Sequence, residues 1–168
     1  MKFNRNRTRG LALAIVLYAL VLCTACPFSK APDSIHKAAA AANTIQTVTD
    51  TAIDTTAQLY HDKVIEKAKA HLITLAIQKI HNTNGVLITT ARSLTADTPE
   101  ARCILSNTLL LIVGDIQALK DAGVLGIKSV DGVLVFDTLI SGLKADIQIV
   151  AAVLGDCATP ALNAAKEL

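Results

Sequence analysis

The side chains that most often perform chemistry are few in this chain and poorly spaced for it. Its four histidines are His36, His61, His71 and His81. Ten-residue steps separate the last three, and each step turns a helix by about 280°, so the three imidazoles point in different directions. No Glu-x-x-His pair or His-Glu-x-x-His motif occurs, although di-iron bundles and zinc peptidases use these patterns. We therefore predict no metal site and no cofactor.

Asp115 is the carboxylate in the most unusual position. It is the only charged residue between Arg102 and Lys120, and it lies about 80° from the centre of an apolar helical stripe. A carboxylate there can be partly desolvated and mark a functional site. The alternative is a boundary residue that reaches water or bonds to a neighbouring Thr or Asn. The serines have no Gly-x-Ser-x-Gly setting, so we assign no catalytic residue.

The N-terminus has the pattern of an export signal. Met1 to Arg9 contains four basic residues and no acid, and Leu11 to Leu22 is apolar throughout. Extended to Cys26, the apolar stretch would span roughly 24 Å as a helix, which is shorter than the ~30 Å hydrocarbon core of a bilayer. A cleaved signal peptide over residues 1–25 therefore fits better than a permanent membrane span.

The end of this segment, Leu22-Cys23-Thr24-Ala25-Cys26, resembles the lipobox of bacterial lipoproteins. Thr24-Ala25-Cys26 matches the last three positions of the pattern, while Cys23 stands where the pattern favours Leu. The resemblance implies that Cys26 is acylated and becomes the mature N-terminus. The protein would then be anchored at the bacterial cell envelope, facing the periplasm or the cell exterior. The resemblance covers about 26 residues and implies nothing about the rest of the chain; ordinary secretion and a retained anchor are the alternatives.

Processing at Cys26 would change both the charge and the cysteine content. Of the 16 basic residues, 12 remain after the four in Met1 to Arg9 are removed, against 14 acidic residues. The mature chain is formally −2, so its net charge gives no support for binding to nucleic acid or anionic lipid. Two cysteines remain, and in an exported chain they predict one disulfide between Cys103 and Cys157.

The rest of the chain has the periodicity of helices. We predict helices over Ser34 to Tyr60, Thr98 to Lys120 and Asp131 to Leu154, the second capped by Thr98 and the third stopped by Gly155. A further helix has the stripe Ile65, Ala68, Leu72 and Leu75, broadened by Ile73, Ile77 and Ile80, and is predicted to end within His81 to Gly85. The prediction is an all-α, antiparallel bundle of four to five helices over residues 34–168, after a tether over residues 26–33.

The first of these helices has a stripe of small residues at heptad-like spacing. Its members are Ala38, Ala42, Ile45, Thr49, Ala52 and Thr56. Such a seam either packs inside the bundle or is exposed to a protein partner or a second copy. We expect a lipid-anchored, non-enzymatic scaffold or interaction module. The alternatives are a carrier of a lipid or other hydrophobic ligand in the bundle interior, and an enzyme using a carboxylate such as Asp115.

Overall fold

The computed structural model describes residues 34–124 and 130–168. Five α-helices and a short 3-10 helix follow one another: α1 (Ser34–His61), α2 (Lys67–Ser93), α3 (Pro99–Val124), α4 (Val130–Leu154), the 3-10 helix (Gly155–Ala158) and α5 (Thr159–Glu167). No β-strand occurs in these two ranges. The predicted all-α bundle of four to five helices is confirmed. The predicted signal and tether, and Cys26 with them, lie outside the described residues.

The four long helices form a closed ring. α2 packs against α1 and α3, and α4 completes the ring by packing against α1 and α3. Consecutive helices run in opposite directions because short connections join them, which is the up-down-up-down arrangement of a four-helix bundle. The short α5 lies on α3 and α4. Isoleucine and leucine side chains fill the centre, among them Ile45, Ile77, Leu109 and Ile147, each fully buried.

Two helix ends follow the local sequence. The Thr98 hydroxyl accepts a hydrogen bond from the Ala101 N–H at 3.2 Å, so it caps α3 as predicted. α4 ends at Leu154, and the next residue, Gly155, has a φ of +74°, a backbone conformation that favours glycine. The predicted stop of α4 at Gly155 is confirmed.

The predicted end of the helix at His81 to Gly85 is wrong, because α2 continues to Ser93. Asn84 is fully buried, and its Nδ2 donates to the Ala42 carbonyl at 2.8 Å and to Gln46 Oε1 at 3.0 Å on α1. These contacts between α1 and α2 keep the segment helical, although its sequence would favour a turn in isolation.

The predicted apolar stripe of this helix is also partly wrong. Leu72 and Leu75 are 53% and 48% exposed, while Ile73, Ile77 and Ile80 are buried. The residues that were expected only to broaden the stripe are therefore its centre. Leu72 and Leu75 lie on the outside of the bundle.

A candidate interaction face on α2 and α3

Five large aliphatic side chains are exposed on neighbouring faces of α2 and α3. They are Leu72, Leu75 and Val86 on α2, and Ile104 and Leu111 on α3, with exposures from 48% to 64%. We call this surface the α2–α3 face. Helical spacing places each group on one side of its helix. Because exposed apolar side chains on adjacent helices can form a contact surface, we take the α2–α3 face as the candidate functional site.

Asp115 lies in the middle of the α2–α3 face and joins the two helices. Its Oδ1 is 2.8 Å from Lys79 Nζ, and its Oδ2 accepts a hydrogen bond from the Thr83 hydroxyl at 2.8 Å. Asp115 is 7% exposed. Val86 lies about one turn beyond Thr83, and Leu111 about one turn before Asp115, so in antiparallel helices these two apolar residues lie on the same side of the ion pair.

The contacts of Asp115 favour the interpretation as a boundary residue. Both of its carboxylate oxygens bond to side chains of α2, one of them a threonine. The arrangement is that of a boundary residue that fixes the distance and register between two helices. The described contacts of Asp115 therefore serve helix packing.

A second polar group fixes the end of the bundle at which α1 begins. Asp97, in the connection between α2 and α3, accepts the Ser34 N–H at 2.8 Å. Arg102 donates to the same carboxylate through Nε at 2.6 Å and Nη2 at 2.9 Å. The Arg102 hydrogen bond, followed by that from the Ser34 N–H, lowers the pKa of Asp97. The start of α1 is thus tied to the connection between the two helices that carry the α2–α3 face.

The predicted cysteine pair lies at the same end of the bundle. Cys103 and Cys157 are at disulfide distance, with their Cα atoms 5.0 Å apart. The bond connects the first turns of α3 to the segment that follows α4. It therefore closes the open end of the α3–α4 hairpin and joins the two cysteines that the sequence predicted to pair.

The Ala/Thr seam is inside the bundle. Ala38, Ala42, Ile45 and Thr49 are fully buried, and Ala52 and Thr56 are 6% and 4% exposed. The hydroxyls of both threonines bond to carbonyls of α1 itself, Thr49 to Ile45 and Thr56 to Ala52. Small side chains let α1 approach α2 and α4 closely. The seam has a packing role and leaves no free surface for a partner.

His81 belongs to a polar cluster between α1 and α2. Its Nδ1 is 3.3 Å from Asp50 Oδ1 and 3.2 Å from Thr49 Oγ1, and the side-chain amide of Gln46 contacts both ring nitrogens.

The side-chain oxygen of Asn84, Oδ1, is buried on α2 without a hydrogen-bond partner among the described residues. In the described part of the chain, no three His, Cys, Asp or Glu residues are placed to hold a metal ion.

Asp146 was missed by the sequence interpretation. It lies on α4, is 7% exposed, and interacts with the side chain of Thr44 on α1. Burial raises the pKa of Asp146 from 3.8 to about 6, against the smaller opposing effect of the Thr44 hydrogen bond. Its neighbours Ala145 and Ile147 give no sequence signal of burial for a carboxylate. The only signal was its place beside Leu143, Ile147 and Val150, which are apolar residues at helical three- and four-residue steps.

Comparison with protein-family models, curated proteins and solved structures finds no match for this chain. By length and composition alone, Pro99–Asp121 in α3 could cross a membrane, and 44% of that segment is buried in the bundle. A buried core helix has the same properties, so we treat α3 as part of the bundle.

Proposed function

We propose that this protein is a lipid-anchored, non-enzymatic component of the bacterial cell envelope, and that its helical bundle is an interaction module. The anchor is acylated Cys26. The observation that supports an interaction module best is the α2–α3 face, because it exposes five large aliphatic side chains on two adjacent helices. This proposal moves the interaction surface from the buried Ala/Thr seam to the outside of α2 and α3.

The contacts at the start of α1 support the anchoring part of the proposal. A tether that leaves from Ser34 transmits any pull from the membrane to that residue. The Ser34 backbone N–H donates a hydrogen bond to the Asp97 carboxylate, which also accepts hydrogen bonds from two nitrogens of Arg102. The disulfide between Cys103 and Cys157 crosslinks the same end of the bundle. A bundle fixed in this way can stay folded while attached by one terminus.

The anchor can be tested by replacing one cysteine at a time in a bacterial host. We expect Cys26→Ser to move the protein from the membrane fraction to the soluble envelope fraction, or to leave it unprocessed. Cys23→Ser is the matched control, because it changes a neighbouring cysteine in the same segment. We expect this control to remain in the membrane fraction with its acyl chains. Membrane retention and processing that are identical in both variants would contradict acylation at Cys26.

A further inference from the structure

The charges at the centre of the α2–α3 face compensate each other within the chain. The side chain of Lys79 is 70% exposed, and its Nζ lies 2.8 Å from Oδ1 of the buried Asp115. Exposed Glu100 is in the first turn of α3, at the rim of the face, where polar residues are common in interfaces. Because the central pair is neutral, another copy of the same face can approach it without a net repulsion of charge.

Along the helix axes, an apolar layer follows the charged layer of Lys79 and Asp115. Val86 is three residues after Thr83, and Leu111 is four residues before Asp115, which accepts the Thr83 hydrogen bond. At 1.5 Å per residue these steps are about 4.5 and 6 Å, and in antiparallel helices they run in the same direction. Val86 and Leu111 are therefore level with each other to within about 2 Å.

A second apolar layer lies on the opposite side of the ion pair. Leu75 is four residues before Lys79, and Ala118 is three residues after Asp115, so both lie about one turn from the charged layer in the same direction. Leu75 is 48% exposed, and Ala118 is exposed on α3. A large side chain on one helix is thus level with a small one on the other, which is the relief that interdigitating surfaces need.

A twofold axis parallel to the helices matches these layers between two copies. It places α2 of one copy on α3 of the other, so Val86 meets Leu111 of the second copy and Lys79 meets its Asp115. Around the four helices lysine and aspartate then alternate, and all neighbouring helices are antiparallel, as they are within the bundle. A twofold axis across the helices would instead place Lys79 on Lys79, and like charges in contact are unfavourable.

The start of α1 favours the same axis. The Ser34 N–H donates to Asp97, so the tether enters at the end of the bundle that carries the α2–α3 connection. An axis parallel to the helices leaves both tethers at one end of the dimer, whereas an axis across them separates the tethers by about the length of α1, whose 28 residues span about 42 Å. The eight steps from Cys26 to Ser34 extend to at most about 27 Å. In the parallel dimer both anchors therefore reach one bilayer from the same end.

We propose that the α2–α3 face binds a second copy of this chain about a twofold axis parallel to the helices. This inference rests on the proposed function, because it names the partner of the interaction module. The exposed sides of two helices, about 20 Å wide and about 32 Å long from Leu72 to Ser93, offer roughly 600 Å² per copy, near the lower end of specific interfaces. Such a dimer is weak in dilute solution, and anchoring in one bilayer raises the local concentration of the two copies.

Disulfide trapping between two differently tagged, full-length copies tests this contact in a bacterial host. One copy carries Val86→Cys and the other Leu111→Cys, with copper phenanthroline as the oxidant. In the matched control the first copy carries Leu134→Cys instead, because Leu134 is 54% exposed and Val86 57%, but Leu134 lies on α4, diagonally across the bundle from α2. We expect several-fold more crosslinked heterodimer from Val86→Cys than from Leu134→Cys. Equal crosslinking would overturn the proposal.

A third pair of copies tests the direction of the axis. Leu72 and Val86 are each seven residues from Lys79, so Leu72→Cys and Val86→Cys would face each other about an axis across the helices. In the parallel dimer the two positions are about 21 Å apart along the helices. We therefore expect this pair to crosslink no more than the Leu134→Cys control. More crosslinking than from Val86→Cys with Leu111→Cys would contradict the parallel axis.

A charge introduced on the face should separate the copies without unfolding them. Leu111 is 64% exposed, so Leu111→Glu leaves the core of the bundle intact. We expect this variant to raise the dissociation constant of the dimer at least about tenfold, because dimerisation would bury the glutamate in an apolar layer. Sedimentation equilibrium of the purified full chain in detergent measures the constant, with Leu134→Glu as the control and thermal unfolding as the check on the fold. Equal dissociation constants for the two variants would overturn the proposal.

These outcomes are separable from a failure of the lipid anchor. Membrane fractionation of the same cells reports the anchor, whereas the crosslink between Val86→Cys and Leu111→Cys reports the dimer. A membrane-bound chain without this crosslink refutes only the dimer. A soluble chain with the crosslink refutes only the anchor, and a soluble chain without it refutes both.

Discussion

Asp115 on α3 and Asp146 on α4 are buried to the same extent, each 7% exposed, but their surroundings differ. Asp115 meets the ammonium group of Lys79 and the hydroxyl of Thr83. Asp146 has no ion-pair partner within the described ranges, and burial raises its pKa to about 6. At equal burial, Asp115 has an oppositely charged partner and Asp146 has none among the described residues. The uncompensated burial of Asp146 raises its pKa toward neutral pH.

The difference separates two sides of the bundle. The α2–α3 interface is joined by an ion pair that also forms part of its exposed face. The α1–α4 interface holds a carboxylate whose charge is costly to bury. We expect the first interface to depend on its charges and the second to become stronger when its charge is removed.

Loss of the disulfide should cause the largest change in the free energy of unfolding, and it should destabilise both interfaces. Cys103→Ser should lower the free energy of unfolding by about 4 kcal/mol, because the bond closes a loop of more than fifty residues. Urea denaturation of the oxidised exported protein measures this loss, with the unchanged protein as the reference. Identical midpoints with and without reductant would contradict the crosslink. The contrast between the aspartates should survive its loss.

Asp146→Asn should stabilise the protein at neutral pH. The folded pKa, about 6, is above the unfolded value of 3.8, so the folded state binds the proton more tightly. This contribution to stability is fully present below pH 3.8 and is lost as the pH rises through about 6. At pH 7.5 the variant should be more stable by up to about 3 kcal/mol, and near pH 3.5 the difference should vanish. Urea midpoints across this range test it; a constant difference would contradict a titrating Asp146.

Asp115→Asn should destabilise the protein, in contrast to Asp146→Asn. Loss of the ion pair to Lys79 should lower the free energy of unfolding by about 2 kcal/mol at pH 7.5. The matched control is Asp121→Asn, since Asp121 is an exposed acid on the same helix; its effect should be within about 0.5 kcal/mol. Thermal unfolding of the two variants side by side gives the comparison. Equal losses would show that the buried pair contributes no more than a surface charge.

Thr44→Lys should give the smallest net change in stability, and it compares Asp146 with Asp115 most directly. A lysine at this position places an ammonium group near Asp146 and reproduces the pairing of Asp115 with Lys79. The stability difference between pH 5 and pH 7.5 should shrink, while the stability at pH 5 changes by less than about 1 kcal/mol. Thr44→Val is the control and should keep or steepen the pH dependence, because it removes the hydrogen bond that lowers the pKa of Asp146. A pH dependence that is unchanged by the lysine would mean that another group produces it.

The sequence predicted the bundle because its strongest patterns are local. The helices α3 and α4, the Thr98 cap and the Gly155 stop depend on neighbouring residues, and the structure confirms them. The Cys103–Cys157 pair followed from the two cysteines that remain after processing at Cys26. These features need no knowledge of how distant helices pack.

Errors arose where a partner helix decides the outcome. Asn84 looked like part of a helix end, but α1 supplies acceptors that keep it buried within a helix. Leu72 and Leu75 looked like core because periodicity cannot tell which of two adjacent apolar stripes faces inward. Two residues of the candidate face, Leu72 and Leu75, were therefore predicted to be buried, and the position of Asp146 beside apolar residues of α4 was the only sign of its desolvation.

The intact mass of the mature protein from a bacterial host is the most direct test of the central claim, that an acylated cysteine anchors this bundle outside the cytosol. We expect a chain that begins at Cys26, carries three acyl groups, and lacks the two hydrogens that oxidation of Cys103 and Cys157 removes. A chain that retains Met1 and has four free thiols would contradict it.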